Sequence, residues 1–173
     1  MDRFDARRWR ADGHPVVRNG CPDVAGFTLL ELMITLTILV ILITVVVPSM
    51  GGILAKTRVR SASSALYMAM VKARSEAVKR NNSVSVVSIS CDWASGWQIK
   101  DVNNAVISQQ GAIKGISIPC GGSTPTSVIY LGSGRIKSTG AVAFSIASSS
   151  SYAFAQCLTT NLSGMPFTKD GGC

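Results

Sequence analysis

Gly26-Phe27-Thr28-Leu29-Leu30-Glu31-Leu32-Met33 opens an apolar run that continues to Val47. From Phe27 to Val47 there are 21 residues, and Glu31 is the only charged one. At ~1.5 Å rise per residue, a helix over this run is roughly 30 Å long, enough to cross the hydrocarbon core of a bilayer. A carboxylate at the centre of such a helix costs roughly 2.5–3.5 kcal/mol. Near one end the cost is lower, yet an ionisable residue inside an apolar span still calls for a partner.

Before the run, Met1–Ala25 is polar, with Arg3, Arg7, Arg8, Arg10 and Arg18 and no apolar segment of its own. A secretory signal peptide has its apolar segment before the cleavage site, which excludes that reading. Charge does not fix topology either, because Lys56, Arg58 and Arg60 follow the run closely. Pro48, then Ser49, Gly51 and Gly52, predict a kink or a locally melted turn.

Helical periodicity resumes beyond the glycines. Val59, Ala62, Leu66, Met70, Ala73 and Ala77 fall on one face of a helix, and Lys56, Arg58, Arg60, Lys72, Arg74, Lys79 and Arg80 on the others. Glu76 and Arg80 are an i,i+4 pair. Asn81-Asn82 is a stop signal, since asparagine tolerates the left-handed conformation at a helix end.

From Ser83 the period changes to two. Ser83–Ser90 shifts phase between Val86 and Val87, which predicts a bulge or two-sided burial. Further short β-rich runs are Gly96–Asp101, Ala105–Gln109, Ala112–Ile118, Ser127–Leu131, Ala141–Ile146 and Tyr152–Leu158, separated by Gly, Asn and Ser turns. The sequence therefore predicts an α+β fold. A long N-terminal hydrophobic helix runs into a globular domain whose antiparallel sheets pack on the helix's C-terminal half. The expected divisions are 1–26, 27–52 as apolar helix, 53–82 as its amphipathic continuation, and 83–173 as a β-rich head.

The chain carries 17 Lys+Arg against 9 Asp+Glu. Such an excess suits either an anionic partner or a solvated basic face. Five cysteines are present, and four lie beyond Gly26: Cys91, Cys120, Cys157 and Cys173. An even count in an exported domain predicts two disulfides, with three pairings open. The single histidine, His14, and the absence of a CxxC pair argue against a zinc site, and no cofactor is expected. Beyond Gly26 there is no histidine, no paired carboxylate spacing and no Gly-x-Ser-x-Gly element, so nothing points to an enzyme.

The segment Gly26–Met33, with Pro48 further along, resembles the N-terminal signature of type IV pilins and pseudopilins. Arg74-Ser75-Glu76-Ala77-Val78-Lys79-Arg80-Asn81 and the Trp93…Gly96-Trp97 pair are similar to the subgroup joining minor pilin FimT and secretion pseudopilin GspH. The resemblance covers Gly26–Asp101 well and is general after that. It implies a leader, residues 1–26, removed by prepilin peptidase between Gly26 and Phe27, and methylation of the new Phe27 amine. Twenty-six residues with four Asp is long for such a leader, which leaves an internal start codon open.

The resemblance also supplies Glu31 with a partner, the Phe27 ammonium of a neighbouring subunit. Unit charges at 4 Å attract by roughly 4 kcal/mol at an effective dielectric of 20, which offsets the burial cost and fixes register. Implied partners are other pilin or pseudopilin subunits, the peptidase and the bacterial inner membrane. The head would be periplasmic before the subunit enters a pilus or pseudopilus. The implied role is a minor type IV pilin that primes or joins a pilus and aids DNA uptake. The alternative is a minor pseudopilin of type II secretion, and the third reading is a plain membrane-anchored binding domain.

FimT-like pilins bind DNA through a C-terminal Gly-Arg-x-Arg-like element. The aligned stretch here, Gly164-Met165-Pro166-Phe167, has neither arginine. The candidate DNA contacts are Arg135, Lys137 and Lys169, and the competing reading makes them solvated loop charges. Trp93 and Trp97 are expected in the core rather than stacked on bases. Cys157 and Cys173 bracket a C-terminal loop of about 15 residues, whose closure stabilises by roughly 3 kcal/mol. That pairing leaves Cys91 with Cys120.

Overall fold

The structure, a computed structural model, describes residues 26–173 except Thr139, with the side chains of residues 45–49 also outside the description. All of the expected leader but Gly26 lies outside the described residues. The chain divides into two compact units, one ending at Ile41 and the other spanning Leu42–Cys173.

Helix α1 runs Leu29–Arg80. It continues through Pro48, Gly51 and Gly52 without a break, so the melted turn expected there is absent. A proline removes one ladder bond, and the turns on either side carry the helix across it. The two glycines have a different use. The Tyr152 ring lies against the helix here, and a Cβ at Gly51 would collide with it. Of the described residues, no helical stretch is long and apolar enough to cross a membrane. The apolar run read from the sequence includes residues 45–47, whose side chains are not described.

The second half of α1 follows its sequence pattern. Val59, Ala62, Leu66, Met70, Ala73 and Ala77 are all buried. The helix stops at Asn81, which has φ 47°. Asn81 N–H donates to Val78 O and Asn82 N–H to Ala77 O, both at 3.1 Å. This pair of bonds satisfies carbonyls that the last turn would otherwise orphan.

Two four-stranded antiparallel sheets follow. The first has the order β3 (Val106–Gln110), β2 (Trp97–Lys100), β1 (Val84–Ser88), β5 (Ser127–Tyr130). The second has the order β4 (Ile116–Ser117), β6 (Val142–Ser148), β7 (Ala155–Thr160), β8 (Pro166–Asp170). A short 3-10 turn, Trp93–Ser95, precedes β2. Val84, Val86, Ile99, Val128 and Tyr130 from the first sheet share one core with Phe144, Ile146 and Leu158 from the second and with the α1 stripe. Trp93 meets Phe144 edge-on at 5.0 Å between ring centres and Trp97 at 6.5 Å. Its indole N–H donates to Pro125 O at 2.8 Å. Both tryptophans are therefore core residues, as their sequence setting suggested.

Further expectations change. The irregularity anticipated in β1 falls instead between β2 and β3, at Ile99/Lys100, while β1 pairs regularly on both edges. The alternative expectation for this strand, two-sided burial, holds: Val84 and Val86 are buried, Ser85 and Val87 on the other face are half-buried, and Ile89 lies exposed beyond the strand. The C-terminal loop is largely a strand. β8 pairs with β7 from Gln156↔Asp170 to Thr160↔Pro166, with the proline as first residue of an edge strand, where its missing N–H costs nothing.

The Cys157–Cys173 disulfide is present, with 5.0 Å between Cα atoms. Cys91 and Cys120, expected as a second bridge, stand as free thiols. Their segments pair through the backbone instead, with Cys120 N–H donating to Cys91 O at 2.8 Å. Desolvation pushes the half-buried Cys120 thiol up to about 11, helped by the neighbouring Cys91 and Asp92.

Candidate functional site

Gly26, Phe27 and Thr28 precede α1 in non-helical backbone. Among the described residues nothing lies within 4 Å of the position a Cβ would take on Gly26. The expected Gly26–Phe27 cleavage bond thus lies in exposed, non-helical chain. Phe27 is 83% exposed.

Thr28 is the helix cap. Its Oγ1 accepts from Glu31 N–H at 3.1 Å. Thr28-Leu29-Leu30-Glu31 is the Thr-x-x-Glu pattern of a capping box, a signal legible in the sequence but not used there. Glu31 sits in the first turn, where the helix dipole favours a carboxylate by about 0.3–1 kcal/mol. The residue therefore has a local reason as well as the intermolecular one its family resemblance implies.

The large apolar side chains from Leu29 to Ile43 are exposed on every face of the helix, including Leu30 at 68% and Ile41 at 59%. A helix apolar all round is stable only when lipid or other protein covers it. Pro48 belongs to α1, and its side chain lies outside the described residues.

The three candidate DNA contacts do not converge. Arg135 is on the turn after β5, where its carbonyl accepts from Leu131 N–H at 2.8 Å. Lys137 follows, with its N–H donating to Ile129 O. Lys169 is in β8 opposite Cys157. Four strand residues, roughly 13 Å, separate it from the Met165 end of that hairpin. The register places Lys169 on the face away from α1, since Asp170 beside it reaches Arg60. All three cations are exposed.

The structure does bring the turn that carries Arg135 up to the β7–β8 turn. Arg74 Nε donates to Gly134 O at 3.0 Å, and its Nη1 meets Met165 Sδ at 2.8 Å. Beside them an open groove of about 720 Å³ is lined by Tyr67, Val71, Arg74, Val78, Lys79 and Met165. Glu76 bonds Arg80 at 2.8 Å as the spacing predicted, and this bond holds the Glu76 carboxyl below its usual range. Arg80 also reaches Asp101 at 3.8 Å. Among the described residues no cluster of His, Cys, Asp and Glu could hold a metal.

Residues 62–164 match the family model described as Type II transport protein GspH, and residues 22–47 match the prokaryotic N-terminal methylation motif. The chain belongs to the type IV pilin-like GspH family. Two crystal forms of the Pseudomonas aeruginosa type IV minor pilin FimU share the fold, each with a TM-score of 0.57. One is 16% identical and covers 65% of this chain and 89% of that one; the other is 18% identical and covers 64% and 91%. No curated protein matches. The family is one of pilin-type structural subunits, and the methylation-motif match spans Gly26 and Phe27.

Proposed function

We propose that the chain is a minor pilin that primes or enters a type IV pilus after cleavage between Gly26 and Phe27. The observation that carries this reading is the N-terminal helix, apolar on every face, with one carboxylate, Glu31, held in its first turn. Cleavage creates an ammonium on Phe27, and a neighbouring subunit's Glu31 is its counter-charge. A misregistered neighbour would leave both charges unpaired in an apolar bundle, so the pair selects one axial stagger. The same helix anchors the precursor in the inner membrane, with Pro48 inside the segment that passes from lipid to filament.

The second reading is a minor pseudopilin of type II secretion, and the match of residues 62–164 to the GspH model favours it. One deletion strain scored for twitching motility, DNA uptake and protein secretion separates the two. Loss of secretion alone would replace the pilus by the secretion system. Loss of motility or uptake with secretion intact supports the pilus. Substitution of Gly26 should block processing and function together; unchanged processing and function would leave only a membrane-anchored binding domain.

DNA contact by Arg135, Lys137 and Lys169 is the weaker arm of this reading, because counterion release requires cations on one surface. A gel shift of the full chain in detergent at two salt concentrations tests it. No retardation at low salt removes DNA from the role.

A further inference from the structure

Within the second unit, the exposed surface of α1 changes character over a single turn. Met50, Ile53 and Leu54 are exposed at 57%, 64% and 51%. With Gly51 and Thr57 they line an open apolar groove of about 380 Å³. Lys56, Arg58 and Arg60 come next, all exposed.

Other elements add to both parts of this surface. The Arg58 guanidinium lies against Gly115, next to Lys114. Lys56 Nζ stands 5.5 Å, and the Arg60 guanidinium 5.7 Å, from the centre of the Phe154 ring. Tyr152 rests its ring on Gly51 and Gly52. The carboxylate nearby is Asp170, which meets Arg60 at 3.3 Å and accepts from Gln156 at 2.8 Å. No described carboxylate forms an ion pair with Lys56, Arg58 or Lys114. An apolar band thus lies beside a cationic collar built from a helix and a loop.

We infer that this surface seats on anionic phospholipid headgroups. Met50, Ile53 and Leu54 enter the outer acyl layer while Lys56, Arg58 and Lys114 meet phosphates. Charge complementarity selects that occupant, and so does continuity with the apolar run that ends at Val47, only three residues before Met50. A tyrosine with an apolar body and a polar tip is a residue type enriched at this depth of a bilayer. The inference rests on the reading of Phe27–Val47 as a membrane segment. It adds a second, salt-sensitive hold, in which each Lys or Arg near an anionic surface shifts the equilibrium by about fivefold. It also gives the cations that follow the apolar run, which leave topology open by the charge rule, a place at the membrane surface.

The test uses the full chain reconstituted in vesicles of phosphatidylcholine alone or with phosphatidylglycerol as one lipid in three. Lysines are labelled briefly with an uncharged acylating reagent and mapped by mass spectrometry. Lys56 and Lys114 should label several-fold more slowly in the anionic vesicles, while Lys79 and Lys137 keep their rates. High salt should abolish the difference, and Arg58→Gln should weaken it about fivefold. Equal rates in the two lipids, or slowing of all lysines alike, would overturn the proposal. So would protection that survives high salt or grows with protein density, which would assign the surface to a protein partner. A chain that floats with neither vesicle type refutes the membrane-segment reading itself. A chain that floats with both and labels equally refutes only the headgroup site.

Discussion

Gly164 stands so close to Gly134 that a Cβ on Gly164 would overlap the Gly134 carbonyl oxygen. This contact joins the β7–β8 turn to the turn after β5, and the same carbonyl accepts from Arg74. Gly164 has φ +82°, where a side chain is strained even with space to occupy. Gly164→Ala should therefore cost about 2 kcal/mol or more, the strain adding to displacement of the turn. Thermal unfolding should show it as a midpoint lowered by several degrees, and an unchanged midpoint would remove the contact from the fold's requirements.

Tyr130 tests a different kind of packing. Its ring is buried, and neither its hydroxyl nor that of Thr160 has a well-formed hydrogen bond among the described residues. Desolvation pushes the phenol from 10.0 up to about 12, against the opposing pull of Thr160 and Arg74. The folded state thus prefers the neutral phenol. Its contribution is complete below pH ~10 and is lost as pH rises from there to about 12. A shift of that size corresponds to about 2–3 kcal/mol. Tyr130→Phe should be neutral or stabilising by about 1 kcal/mol at pH 7. It should also flatten the loss of stability between pH 10 and 12; denaturant midpoints across that range decide the matter.

The disulfide gives a third prediction. β8 is an edge strand whose only neighbour in the sheet is β7, and Cys157–Cys173 closes the hairpin across a sequence separation of 16. Cys173→Ser leaves the buried Cys157 in place and removes the crosslink, at a cost of about 3 kcal/mol. Hydrogen exchange should accelerate first at Phe167–Asp170, before β6. Uniform acceleration through both sheets would mean that the hairpin is no separate unit.

What the sequence made legible follows from periodicity. The Val59–Ala77 face needs only a 3.6-residue repeat, and Asn81-Asn82 only a residue that tolerates positive φ. Both stand in the structure as read. The β8 strand was hidden because Pro166 and a flanking Gly and Ser tract carry loop signals; its pairing with β7 is a tertiary matter. Gly51 and Gly52 read as helix breakers because Tyr152, about a hundred residues later, cannot be seen from local spacing. The basic trio failed to converge for the same reason. Spacing along a chain says which residues share an element, and it says nothing about which end of a hairpin another turn will meet. Thr28 was the opposite case, a local capping signal that was present and was overshadowed by the charge at Glu31.

Asp92 supplies the last prediction. Sequence spacing gave this carboxylate no partner, yet its Oδ1 accepts from Ala94 N–H at 2.9 Å and from Ile118 N–H at 3.0 Å. The first bond caps the Trp93–Ser95 turn, and the second reaches the segment after β4. Trp93 N–H also donates to Ile118 O at 3.0 Å, so the buried indole is positioned by the same crossing. Asp92→Ala would leave two amide donors without their acceptor, one of them on the fully buried Ile118. Bonds to a charged acceptor contribute about 1.5–3 kcal/mol each, and partial rescue by water makes about 2–3 kcal/mol the expected total. Asp92→Asn keeps an oxygen at the same place and loses the charge, so it should cost about 1 kcal/mol. Denaturant unfolding followed by tryptophan fluorescence measures both, since Trp93 reports the site. Equal losses in the two variants would show that charge, and not the shared acceptor, ties the turn to the second sheet.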